Sequence, residues 1–550
     1  MHPGYAYPER RLFHSDSDGW SLPPGASERV QGRYDPMHFV LRLHPDVHSI
    51  LEEGESGSYL HGEITSDRIA AFATYLHETI HWWQHVGSTL GLVLSLSYPA
   101  QTHTNYQLLR SLLSEIGPVK SLRRFDQANR KPAPDVQANL NRVLNNWHDL
   151  EHCYRHALSS REAPSWAAEP YFESTGHSYE MTWAIAIQLL SASFDPTLTT
   201  LPDARRWEEG FAKLRQKQVQ GFYYGSPIGI APVGAYHIFE GQARFSQLQY
   251  LHHTSGGEWD WQDFERLGML GERYVAAFNH FLRVVGEPRP QSVGDPLIGL
   301  FLVLCDLAIN PTEGFPFDIH IYESFLIDVD PGSRFHLFCH GVAGQPDLKK
   351  VITDYSNEEY EQITTALCAF TRSPSPLAAS RLVATWPEKN AAIDELLTED
   401  AVFRFSTPDL LIRVFFARFV RFQTDKARNP AFFVWPGVWM GSVKATRLDP
   451  AEIRTLFQEH EALFLDVPGG EVRPRLIHNK PEIEVYETFN NFYSILVTYS
   501  LTRQWIAADG VFDFDLRWLS PTASDEEMRM WASTLFTNTY GVAPDAFVII

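Results

Sequence analysis

Residues 66 to 94 constrain this chain most. Ser66 and Asp67 are helix-capping residue types, and Ile69, Phe72, Ala73, Leu76, Ile80 and Trp83 recur at spacings of three and four. That is the pattern of a helix with one apolar face. Inside it stands His77-Glu78-Thr79-Ile80-His81, flanked by Leu76, Trp82 and Trp83. Residues four apart on a helix project from one face, so the two imidazoles can meet on a single metal ion. Glu78 is then placed to reach a water beside the metal rather than the metal itself. The plain alternative is a partly exposed polar stripe. Burying ionisable groups is costly unless they are paired or coordinated, and this weighs against an ordinary structural role.

The rest of the chain reads as mainly α (α+β): a helical metallohydrolase-like core, small β elements and a helical C-terminal part. Further helices are expected near 104–116, 136–158, 178–193, 203–219 and 234–253, with helical stretches over 259–285 and 297–309. His38 to His44 alternates like a strand, and 317–342 reads as a β-hairpin or irregular insertion around Asp330-Pro331-Gly332-Ser333. At 550 residues the chain is too long for one ordinary core. The expected division is an irregular N-terminal arm over 1–36, a mostly helical metal-site domain over 37–375, and a helical C-terminal domain over 376–550. The proline-rich 371–378 serves as linker.

Charge and cysteine content narrow the function classes. A net charge of −21 opposes general nucleic-acid binding and anionic membrane surfaces, and makes a basic or neutral substrate easier to attract than an acidic one. The apolar run 297–308 is interrupted by Asp306 and too short to span a bilayer, so it reads as a buried helix. The N-terminal sequence shows no signal-peptide pattern, and the four scattered cysteines form no C-x-x-C pair. A cytoplasmic protein without a disulfide framework or thiolate zinc site is the expectation. Nucleotide-binding and serine-nucleophile motifs are lacking.

A catalytic zinc site needs a third protein ligand. His85 is too far: 77, 81 and 85 span about 12 Å of helical rise, so His85 is expected as a neighbouring polar contact. In AYHIFEGQARFSQLQYL, Glu240 is followed by the small Gly241 and Ala243, which would allow close approach to the motif helix. Glu180, alone in an apolar helix, is the rival. The pair of motifs resembles the zincin superfamily of metallopeptidases, and within it the gluzincin type. The resemblance covers about 40 residues in two pieces, and the separation between His81 and Glu240 is much longer than in compact members. It implies His77, His81 and Glu240 as zinc ligands and Glu78 as general base. Arg244 and Tyr236, one turn either side of Glu240, could share its face as transition-state or substrate contacts. Asp306, in an apolar helix, could orient a metal-bound histidine or cap backbone. Glu151 to His156 fits no ligand spacing and reads as a solvated helix face.

Three functions fit these residues. The first is a zinc-dependent hydrolase acting on a peptide or protein, a peptidase or amidase. The second is a non-haem Fe(II) oxygenase using 2-oxoglutarate, which shares the two-histidine, one-carboxylate set; Arg244 would then bind the co-substrate carboxylate. The third is a non-catalytic metal-binding interaction protein, in which Glu78→Gln changes nothing. Oligomeric state is not legible.

Overall fold

Capping residues and glycines set the helix boundaries around the motif. Residues 31–52, 65–128, 133–406, 409–441, 449–476 and 480–550 are described in the computed structural model. The expected arm therefore lies outside the described residues up to position 30. The motif helix, Ser66–Val86, starts after Thr65, whose hydroxyl accepts from the Arg68 N–H at 3.3 Å. It ends at Gly87, and the Ser88 hydroxyl accepts from the Gly91 N–H at 2.9 Å to open a new helix, Thr89–Ile116. The single helix expected to residue 94 is thus two helices meeting at a corner. A Cβ at Gly91 would lie 1.8 Å from the Gln84 carbonyl, so only glycine permits that corner.

The molecule is mainly α: 68% helix against 4% strand. At its centre, helix Ala235–Thr254 is buried on nearly all sides. It packs against the motif helix, Glu272–Val285 and Pro296–Ile309. The last begins at the Asp295 cap with Pro296 in its first turn, and residues 297–309 are all buried, as the apolar run requires. Its uniform hydrophobicity is that of a helix covered on every face.

Two small sheets tie distant parts of the chain together. Strand Gly32–Asp35 pairs antiparallel with Val40–Leu43, which runs parallel to Phe464–Asp466, itself antiparallel to Val472–Pro474. Val119–Lys120 pairs with Val548–Ile549. One apolar core extends from Tyr34 to Leu519 and draws on residues from both sides of position 375. A second cluster joins Thr89–Ile116 and Pro134–Leu158 to Glu482–Ala507 and Asp525–Tyr540.

Three further expectations need correction. The hairpin over 317–342 is helical: Asp330 caps helix Pro331–Gly344 by accepting from the Ser333 N–H at 2.8 Å, so the apparent turn is a helix start. The segment 151–156 is not a solvated face, since Glu151, His152, Cys153 and His156 are buried. Trp82 and Trp83, which flank the motif, fill core. The Trp83 indole N–H donates to the His460 carbonyl at 2.7 Å, and its ring packs among Phe422, Phe433 and Phe457. Asp306 orients no histidine; it pairs with the buried Lys426 ammonium and accepts from the Tyr360 hydroxyl at 2.7 Å.

That last pair carries a stability prediction. Removing one partner of a buried ion pair leaves the other charge uncompensated. Lys426→Met is expected to cost about 3–5 kcal/mol of unfolding free energy in urea titrations. Lys426→Met combined with Asp306→Asn should recover much of it.

Among the described residues no helix is long and apolar enough to cross a membrane, and the four cysteines are buried thiols.

Candidate metal centre

Placing two helices side by side assembles the site. The motif helix presents His77 and His81 one turn apart, and helix Ala235–Thr254 presents Glu240 to both. His77 Nε2 and His81 Nε2 lie 3.2 Å apart, and Glu240 Oε2 lies 3.8 Å from the first and 3.7 Å from the second. Among the described residues this is the one group of three or more such side chains whose ligand atoms converge within 4.8 Å. The rival carboxylate goes elsewhere: Glu180 is bound by the Arg215 guanidinium at 2.6 Å.

Hydrogen bonding fixes which atoms can donate electrons. The Gln84 amide N–H groups donate to the Phe239 carbonyl at 3.0 Å and to Gln242 Oε1 at 2.9 Å. Its oxygen is therefore left to accept, and His81 Nδ1 lies 2.8 Å from it. His81 Nδ1 must carry hydrogen, which turns the Nε2 lone pair toward the other ligands in the neutral ring. Gln84 thus sets the tautomer of one ligand while gripping the residues beside another. His77 Nδ1 is buried with no partner, and that ring is held by packing, with Tyr274 at 5.9 Å in an edge contact.

The electrostatics describe a cation site. Burial would raise the Glu240 pKa, but the two imidazoles outweigh it and hold the carboxyl well below its ordinary range. Burial drives His77 down to about 3, so this ring is neutral. Burial also opposes the charge of His81, yet Glu240 outweighs it and leaves that ring raised. At 3.7–3.8 Å the carboxylate acts on both rings as a charge rather than through short hydrogen bonds. Two imidazole nitrogens and an ionised carboxylate converge with no donor of their own beyond a titratable proton. The residues present fit a metal ion.

Glu78 lies next to this group without joining it. Burial, reinforced by Glu240, pushes its carboxyl up to about 7 against the opposing pull of His81. The Tyr34 backbone N–H donates to it. A Cβ on Gly32 would stand 2.7 Å from Glu78 Cγ and 2.8 Å from Oε1. Strand Gly32–Asp35 therefore runs against the carboxyl and fixes its position.

The side partly open to solvent carries Tyr236, Glu240, Arg273 and Tyr274, all half-buried. Arg273 donates to the Tyr236 hydroxyl, while burial and Glu240 raise the Tyr236 pKa, so the phenol keeps its proton at neutral pH. The Arg244 guanidinium carbon stands 3.9 Å from the centre of the Tyr274 ring, and the group donates to Gln247 at 2.6 Å. His85 Nδ1 donates to the His81 carbonyl at 2.9 Å, a polar contact rather than a ligand. Gly241 does not make the close approach expected of it: it faces Phe301 and Ala277, away from the motif helix. Gln84, Gly32, Tyr34, Arg273 and Tyr274 were not found from sequence. A cavity of about 330 Å³ lies apart from the triad, lined by Trp147, His148, Arg155, Trp166 and Arg503.

The Gln84 contacts give a measurable expectation. Groups that orient metal-ligating histidines typically contribute about 10–100-fold to metal affinity. Gln84→Leu should weaken zinc binding by that amount in competition with a chromophoric chelator, with Gln84→Glu weakening it less.

Comparison with family models, with curated proteins and with solved structures gives no match, so the likeness to gluzincins rests on the motif residues and their placement alone.

Proposed function

We propose that this protein is a metal-dependent hydrolase, with zinc as the metal and a peptide or amide bond as the target. The observation that carries the reading is Glu78: a carboxyl at about 7, buried against the two-histidine, one-carboxylate group yet not part of it. A structural metal site has no use for a second, separately held carboxyl.

Zinc bound there would lower the pKa of water to about 7 and polarise a carbonyl. Glu78 accepts the proton of the attacking water on its carboxylate and returns it to the departing amine. Strand Gly32–Asp35 keeps that carboxylate in place through the Tyr34 N–H. Tyr236, held as a phenol, donates toward the developing oxyanion.

Two imidazoles and one carboxylate suit either zinc or Fe(II). The oxygenase reading draws its support from Arg244, a buried cation able to hold a co-substrate carboxylate. Metal analysis and an oxygen electrode separate the two. One zinc per chain with amide hydrolysis supports the hydrolase; iron with 2-oxoglutarate-dependent oxygen uptake replaces it.

A further inference from the structure

We infer that the site reads an anionic group on its substrate, a carboxylate near the scissile bond, through Arg244 and Arg273. This assignment rests on the metal-hydrolase reading and deepens it.

Arg244 is 6% exposed, and among the described residues its hydrogen bonding is limited to Gln247. Its Nε is buried with no partner, and no described carboxylate forms an ion pair with it. A buried guanidinium without a counter-ion is costly, and structures keep one where an anion completes it. Arg244 lies one turn beyond Glu240 on the same helix and acts electrostatically on both His77 and Glu78.

Arg273 comes from the neighbouring helix, Glu272–Val285, and acts on Glu240. Its guanidinium stands 4.8 Å from the Tyr274 ring, whose other cation is Arg244 at 3.9 Å. Both arginines thus flank one aromatic ring, and that ring touches His77.

Local charge follows from this arrangement. Among the described residues, a bound dication and two guanidiniums would face the carboxylates of Glu240 and Glu78, an excess of about two positive charges. The field of a bound ion dominates its surroundings. A chain with net charge −21 therefore holds a positive centre, and the preference for basic or neutral substrates expected from net charge reverses at the site. Guanidinium groups match carboxylates in shape as well as charge.

The test uses zinc-loaded Glu78→Gln protein, which cannot consume its ligand, and calorimetric titration with N-acetyl-Ala-Ala-Phe-Ala as free acid and as C-terminal amide. The acid is expected to bind roughly 10–100-fold tighter, the scale of a hydrogen bond to a charged group, and the difference should shrink as salt rises. Adding Arg244→Gln or Arg273→Gln should remove most of the difference while zinc content stays at one per chain. Arg273 is half-buried, so its variant remains informative should Arg244→Gln fail to fold. Equal affinity for acid and amide in zinc-loaded protein would overturn the assignment and leave the hydrolase reading standing. Tight binding of 2-oxoglutarate with neither peptide bound would also overturn it. A chain that takes up no zinc would remove both.

Discussion

Glu78→Gln is expected to slow amide hydrolysis by about 10²–10⁴-fold, the usual worth of a positioned general base, while zinc affinity stays within a few-fold of the parent. The amide fills the same space against Gly32 and can still accept from the Tyr34 N–H, so the strand should not move. What it loses is basicity. Activity should rise with pH as Glu78 ionises, with the midpoint below its metal-free value of about 7, because a bound cation favours the carboxylate. Stability of the metal-free protein moves in the other direction. The folded pKa lies above the ordinary 4.5, so folding favours the protonated carboxyl, and this stability is fully present below pH 4.5 and lost as pH rises through about 7. Zinc should therefore raise the melting temperature more at pH 7.5 than at pH 5, a trend reinforced by deprotonation of the histidines. A stabilisation by zinc that did not grow with pH would argue against this electrostatic arrangement. Unchanged turnover in Glu78→Gln would remove Glu78 as general base, and no hydrolysis by the zinc-loaded parent would favour a non-catalytic metal protein.

Glu240→Ala should have the second large effect. It removes a charged ligand and leaves two imidazoles 3.2 Å apart with nothing opposite them. Zinc affinity should fall by more than the ~10–100-fold typical of an outer contact such as Gln84, and hydrolysis should fall with it. Glu180→Gln is the control. Its carboxyl is committed to Arg215, so the variant should change stability without touching metal content. If zinc content instead followed Glu180, the ligand assignment would be wrong.

Sequence reasoning reached the parts of this molecule that are written in local periodicity. Helix Ser66–Val86 was legible because its apolar residues recur at helical spacing, and Leu297–Ile309 because no polar face interrupts it. The misread segment, 317–342, alternates apolar and polar residues like a strand, yet Asp330 and Pro331 are the cap and first residue of a helix; capping chemistry overrides alternation there. At the site, His77 and His81 could be found because both belong to one turn of one helix. Glu240 emerged as a lone carboxyl among small residues, although Gly241 serves contacts with other helices. Gln84 gave no signal, since an uncharged amide on a helix looks like any surface residue until its three partners are known. Gly32, Tyr34, Arg273 and Tyr274 reach the site only through tertiary packing, from a strand and a helix far away in sequence.

Zinc K-edge X-ray absorption on protein loaded with one equivalent of zinc tests the centre most directly. Two imidazole nitrogens plus oxygen ligands at about 2.0–2.2 Å, with that signature lost in Glu240→Ala, is the expected result. Sulfur scattering near 2.3 Å, or a spectrum indifferent to Glu240, would contradict it.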